Sequence, residues 1–234
     1  MDLASRIDVP ELMDTVALPP PEMEAALGFL ALTNRAFGGS AVVLRHLKAW
    51  STGWARDREI TLLDAGCGEA DIPLAVARWA RAAGFRMRIT AVDAVAEAAA
   101  VARARTAAWP EISVRQEDVF TILAGERFDL VTASLFLHHL PPDRTPAALR
   151  ALAGAANRGL IVSDLLRSRA GYVAVWAASR VFGNRVVRHD GPLSVRRAFT
   201  VPELAALAAE SGCPWLTARA EPWFRVSLAG EKLS

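Results

Sequence analysis

Ile60-Thr61-Leu62-Leu63-Asp64-Ala65-Gly66-Cys67-Gly68-Glu69-Ala70-Asp71 is the stretch that decides the architecture of this chain. A short apolar run ends on an acid, two glycines follow at alternate positions, and a helical apolar pattern starts at once. That order reads as strand, tight turn and helix N-terminus. Glycine has no Cβ, so the backbone here can approach a ligand closely, and an adenosine-bearing ligand is the usual occupant of such a turn.

Working outward, the pattern alternates. Strands are predicted over 60–64, 88–93, 112–116, 128–134 and 158–164, with helices over 71–83, 95–108 and 143–156. This alternation implies an α/β fold: a mostly parallel, Rossmann-like sheet covered on both faces. After Asp164 the rhythm changes. A helix over 169–182 carries Tyr172, Val173, Val175 and Trp176, a polar loop runs from Gly183 to Thr200, and a helix over 201–211 opens with the capping box Thr200/Glu203. Two last strands, 215–220 and 223–229, are separated only by Glu221-Pro222 and should form a hairpin. Before the first strand, residues 1–18 read as mostly helical with a break at Pro10, and Pro19-Pro20-Pro21 reads as a stop. Glu22 to Asn34 is a helix, and Ser40 should cap another that runs to Trp54. The domain reading is an N-terminal helical lid over 1–58 and a core over 59–234 with a lid insert at about 166–200.

Composition narrows the function. Apolar residues make up 53 % of the 234, enough for a full core, and a net charge of +2 with scattered Lys and Arg argues against a nucleic-acid surface. Cys67 and Cys213 are far apart in sequence, as expected of a cytosolic protein with reduced thiols. The acidic start (Asp2, Asp8, Glu11, Asp14) is unlike a leader peptide, and the longest apolar segment, Gly171 to Ser179, is too short to span a membrane. A soluble cytoplasmic protein acting on a small molecule is the expectation. Oligomeric state is left open, a homodimer included.

The ligand of the turn is either a dinucleotide or S-adenosylmethionine. A dinucleotide turn carries a third glycine where a helix N-terminus receives pyrophosphate. This chain has Asp71 there, and a carboxylate would repel pyrophosphate. Asp64 suits a ligand with a cationic amino group, and Asp118 after the third strand can accept from an adenine amino group. Leu63-Asp64-Ala65-Gly66-Cys67-Gly68, Val92-Asp93, Asp118-Val119, and Phe128-Asp129-Leu130-Val131 followed by Leu137-His138-His139-Leu140 together resemble the ordered motifs of class I S-adenosylmethionine-dependent methyltransferases that act on small molecules. The resemblance runs from about Ile60 to the C-terminus and includes the terminal hairpin. Ala70 stands where many members have a third glycine. It keeps the turn if its φ is negative.

The resemblance implies that Asp64 and Gly66 lie beside the methionine amino group of S-adenosylmethionine, with Ser134 facing its methionine end. Asp93 holds the ribose, Asp118 and Val119 frame adenine, and Ala65, Gly68, Asp71 and Ala94 are further cofactor-binding candidates. Methyl transfer to a neutral hydroxyl needs a base, and some natural-product O-methyltransferases use a histidine where this chain has His139-Leu140-Pro141. His139 is the expected base, with His138 and His189 as alternatives and Asp164 as its orienting or substrate-binding partner. Arg35 is a candidate partner for the cofactor carboxylate, and Phe29, Phe37, Tyr172, Trp176 and Phe182 suggest an aromatic or alkyl-bearing acceptor. No Asp-Asn metal pair of the catechol type is present in the sequence, so metal-independent O-methylation is expected. C-methylation of a quinone-like ring and a non-methylating use of the cofactor are the alternatives.

Overall fold

The computed structural model describes residues 3–15, 18–36 and 38–232. Its strands are β1 (Glu59–Ala65), β2 (Arg86–Asp93), β3 (Ile112–Gln116), β4 (Phe128–Ser134), β5 (Ala156–Leu165), β6 (Thr217–Glu221) and β7 (Arg225–Glu231). They form one sheet in the order β3-β2-β1-β4-β5-β7-β6. β1 to β5 are parallel, while β7 runs antiparallel to both β5 and β6. The order reverses between β1 and β4, so a crevice opens at their C-terminal ends, where open α/β sheets bind ligands.

The helices are α1 (Leu12–Thr15), α2 (Pro20–Ala36), α3 (Gly39–Trp50), α4 (Asp71–Ala83), α5 (Ala96–Thr106), α6 (Val119–Gly125), α7 (Thr145–Ala155), α8 (Arg169–Phe182), α9 (Arg185–Arg197) and α10 (Val201–Glu210). Strand residues alternate between two cores. Leu63, Val131, Leu160 and Val226 pack with α6, α7 and α10 on one face. Ile60, Leu62, Ile89, Leu130 and Ile161 pack with α3, α4 and α5 on the other. The central strands β1, β4 and β5 are apolar on both sides because both sides are buried, whereas the edge strands β3 and β6 are largely polar. Among the described residues no single helix is long and apolar enough to cross a membrane.

Four expectations need correction. The polar stretch after Gly183 is the helix α9. The Asn184 side chain accepts the Val187 N–H at its N-terminus, and Val186, Val187, Leu193 and Val195 are buried along it. Pro192 sits inside this helix and removes one backbone bond, a cost of about 3 kcal/mol offset by that burial. Gly191 lets α8 come close: a Cβ there would lie 3.1 Å from Val175 Cγ1. Among the described residues of the N-terminal segment the helix is limited to α1, whose Leu12 and Met13 N–H groups donate to Asp190 Oδ1 and Oδ2 at 2.9 and 3.1 Å; residues 1, 2, 16 and 17 of the expected helix lie outside the described residues. Pro20 and Pro21 begin α2 instead of stopping a helix, since first-turn N–H groups have no partner to lose. α3 is entered through Gly38 in left-handed backbone, not capped by Ser40, and ends at Trp50. The capping box at Thr200/Glu203 and the terminal hairpin form as expected.

Candidate active site

The glycine turn leaves β1 with Gly66 and Gly68 both at positive φ, 68° and 52°. A Cβ on Gly66 would lie 2.8 Å from the Phe136 ring, so no other residue fits. Asp93 at the end of β2 ties the turn down: one carboxylate oxygen accepts the Gly68 N–H at 2.8 Å and the other the Val95 N–H at 3.0 Å. Ala70 has a φ of 61°, not the negative value anticipated. The left-handed conformation is retained without glycine, at about 1–2 kcal/mol.

Beneath the turn, Asp64 is buried and accepts one hydrogen bond, from Thr132 Oγ1 at 2.6 Å. Burial, reinforced by the charges of Asp71 and Asp93 and opposed by the Thr132 bond, pushes its carboxyl up to about 8. Burial also raises Asp71, whose Oδ2 accepts from Asn34 Nδ2 at 3.0 Å. The Cys67 thiol is pushed up by burial and then by Asp64, so it stays protonated and takes no nucleophilic role.

A cavity of about 390 Å³ lies over this edge. Of the residues predicted to hold a cofactor, Asp64, Gly66, Gly68, Asp71, Asp93, Ala94, Asp118, Val119 and Ser134 line it. Ala65 is buried in the strand behind them. Asp118 also caps α6, accepting the Phe120 N–H at 2.9 Å. The Ser134 hydroxyl has no partner. The side chain of Arg35 and the whole of Phe37 lie outside the described residues.

A second, mostly apolar cavity of about 130 Å³ adjoins the first, and Met13, Leu135 and His139 line both. Its wall includes Phe29, Leu166, Val175, Trp223 and Phe224. Of the other rings expected there, Trp176 and Phe182 are exposed, 45 % and 73 %. Leu135 (φ 52°), Trp223 (61°) and Phe224 (58°), which line this cavity, and Ala70 beside the other are the only non-glycine residues with left-handed backbone among those described. Such strain collects at functional sites.

The histidines sit on the wall between the cavities, in a short turn after β4. His138 is buried. Its Nδ1 lies 2.6 Å from Asp164 Oδ1, and its backbone N–H donates to the same carboxylate at 3.2 Å. Burial raises the Asp164 carboxyl, but the charge and hydrogen bond of His138 outweigh it, and the group ends below the usual range. His138 lines the apolar cavity, and its Nε2 lies 3.8 Å from Glu11 Oε1. His139 Nδ1 lies 3.0 Å from Asp14 Oδ2. Burial works against its charge, yet the Asp14 hydrogen bond and the charges of Glu11, Asp14 and Asp164 raise it to about 9. His189 is not on either cavity wall. It lies on the outer side of α9, with Nδ1 2.8 Å from Asp190.

The N-terminal arm completes the site. Arg6 donates to the carbonyls of Leu137, His138 and Leu140 at 3.3, 3.0 and 2.6 Å, and Arg197 to those of His138 and His139 at 2.9 and 2.6 Å. Glu11 Oε1 accepts from Ser194 Oγ at 2.8 Å. Glu11, His138 and His139 thereby bring one carboxylate and two imidazoles within 4.8 Å of one another. Sequence reasoning missed Glu11, Asp14 and both arginines. No spacing links residues 6–14 to residues 138 and 197, and only the folded chain joins them.

Residues 62–159 match the family model of a methyltransferase domain. A search of curated proteins gives no match. Among solved structures, the plantazolicin methyltransferase BpumL, determined with S-adenosylhomocysteine, has a TM-score of 0.69 at 10 % identity, covering 95 % of this chain and 93 % of that one. A magnesium protoporphyrin IX methyltransferase from Synechocystis, with S-adenosylmethionine bound, has a TM-score of 0.57 at 14 % identity, covering 94 % of this chain and all of that one. A methyltransferase from Aquifex aeolicus reaches 0.58 at 14 % identity, covering 92 % and 100 %. The sheet order, the glycine turn and the acids behind it define the class I methyltransferase fold. Residues 62–159 thus carry the match to a methyltransferase domain, within a fold that the whole chain shares with S-adenosylmethionine-dependent methyltransferases.

Proposed function

We propose that this protein transfers a methyl group from S-adenosylmethionine to a hydroxyl of a small, aromatic or polyketide-derived acceptor. The carrying observation is the His138–Asp164 pair. Asp164 holds the imidazole of His138, a residue that lines the apolar cavity, through Nδ1 at 2.6 Å. His139 was the base expected from the motif. Against the effect of burial, its Asp14 partner raises it to about 9, and it lies on the wall shared by both cavities, whereas His138 lines the apolar one alone. The geometry therefore favours His138 as base and His139 as a fixed cation, with His189 away from the chemistry.

The cofactor, when bound, supplies a methyl carbon activated by its sulfonium. Asp64 and Asp71 face the larger cavity with carboxylates suited to a cationic amino group. Asp93 holds the turn and offers its remaining lone pairs to ribose hydroxyls, and Asp118 with Val119 frames an adenine. Leu135 and Met13 lie where the two cavities meet. There the acceptor hydroxyl gives its proton to His138 Nε2 while its oxygen forms the bond to the methyl carbon. Asp164 stabilises the resulting imidazolium, and the bound cofactor would leave as its thioether, keeping the electron pair of the broken carbon–sulfur bond. Residues 1–58 and the insert at 166–200 serve as the lid. The step is proposed without a metal: Ser194, Asp164 and Asp14 already engage Glu11, His138 and His139, and Arg197 Nε lies 4.0 Å from Glu11.

The test is release of S-adenosylhomocysteine against a panel of phenols, with cofactor affinity measured in parallel. His138→Ala should lose about 10²–10⁴-fold in kcat, the usual worth of a general base, with cofactor affinity kept and no effect of a chelator. Full turnover in His138→Ala would refute the base and favour C-methylation. Loss of activity on chelation would refute the metal-free step.

A further inference from the structure

Arg225 opens β7 and is 2 % exposed, yet it makes a single hydrogen bond among the described residues, from Nη2 to Asn34 Oδ1. Nε and Nη1 have no partner. Burial lowers the guanidinium pKa, and Asp164 and Asp71 act on it only through space. Buried charges are normally paired, because idle donors forfeit their hydration with nothing in return. Here the idle donors belong to a residue that lines the apolar cavity.

Two further observations meet at this place. The turn that delivers Arg225 is made by Trp223 and Phe224, both in left-handed backbone, where a hairpin normally has Asn-Gly or another glycine pair. Both rings line the same cavity. The strain goes with placing two rings and a guanidinium on one wall. The hydroxyls of Ser134 and Ser163 are also buried without partners. Ser134 pairs in register with Ser163, and Ser163 with Ser227, two residues along the strand from Arg225. Strand alternation puts Ser134, Ser163, Ser227 and Arg225 on one face.

We propose that Arg225 forms a carboxylate-binding site on the wall of the apolar cavity. Its position on the apolar wall assigns the carboxylate to the acceptor, which would then be an aromatic or alkyl acid bearing the hydroxyl to be methylated. A carboxylate fits better than a phosphate, because Asp71 and Asp164 already supply negative potential and one more charge suffices. The cofactor's amino-acid end carries the same chemistry and is the other source. The inference rests on the methyltransferase reading for the identity of its ligands, not for the existence of the site.

Calorimetry on the full chain separates the sources. The probes are para-hydroxybenzoate and para-hydroxybenzyl alcohol with saturating S-adenosylhomocysteine, then S-adenosylhomocysteine against methylthioadenosine, which lacks the amino-acid end. Wild type should prefer the benzoate over the alcohol by about tenfold to a hundredfold, the worth of a charge-assisted hydrogen bond. Arg225→Gln should erase that preference and Arg225→Lys should keep part of it, with thermal unfolding checking that each folds. If Arg225→Gln instead weakens S-adenosylhomocysteine and spares methylthioadenosine, the site stands and its carboxylate is the cofactor's. If folded Arg225→Gln moves neither preference, the guanidinium is structural and the proposal is overturned. Should wild type fail to bind S-adenosylhomocysteine, the methyltransferase reading falls, and the benzoate preference measured alone still decides the site.

Discussion

Cofactor binding beside Asp64 is expected to release a proton. Burial and two neighbouring acids push its carboxyl up to about 8, opposed by the one hydrogen bond it accepts among the described residues, from Thr132 Oγ1. A cationic amino group beside it removes the reason for the proton to stay. With a pKa of about 8 falling well below 7 on binding, about 0.9 proton leaves per ligand at pH 7 and about half a proton at pH 8. Affinity then rises with pH because less work is spent on ionisation, by about 15-fold between pH 6.5 and pH 8. Titration calorimetry with S-adenosylhomocysteine in buffers of different ionisation enthalpy reads the proton count directly. Asp64→Asn should bind weakly and without proton release. Asp71→Asn should keep the release, although burial raises that carboxyl too. A proton count near zero at pH 7, or an affinity flat across this range, would refute the reasoning.

Gly66→Ala should abolish cofactor binding and cost about 1–3 kcal/mol of stability, since it meets both a φ of 68° and the Phe136 ring; equilibrium unfolding and calorimetry check this, and unchanged binding would count against the turn as the site. The His139–Asp14 pair should hold the N-terminal arm over a defined pH window. His139 is raised, so its contribution is full below about 6.5 and lost as pH climbs through about 9. Asp14 is lowered, so its contribution is present above about 3.8 and lost in acid. Hydrogen exchange of residues 3–15 in wild type and His139→Gln should therefore differ at pH 7 and coincide above pH 10; identical profiles at both would dismiss the clamp.

Much of the fold was legible because it repeats a local rule. Every parallel strand announced itself as a short apolar run, and the glycine turn and Asp93 carried their chemistry in the backbone conformations they demand. The misreadings fell where a long-range contact overrode a local preference. Asp190-Gly191-Pro192 has the composition of a turn, yet it continues a helix because Asp190 is used to cap α1 and Gly191 to admit α8. Residues 3–11 have helical composition but form no helix, and Arg197 holds them through the Val9 carbonyl.

The sequence by itself determined the sheet, the turn and the acids around the larger cavity, because these depend on residues within a few positions of one another. Only the tertiary structure gave two adjacent histidines different partners. His138 and His139 are indistinguishable in a motif, but one meets Asp164 from β5 and the other Asp14 from the N-terminal arm. The first lines the apolar cavity alone, and the second lines both cavities and is raised to about 9. Arg225 belongs to the same class of decision. Its burial, its idle donors and the strained turn before it exist only once β7 is inserted between β5 and β6.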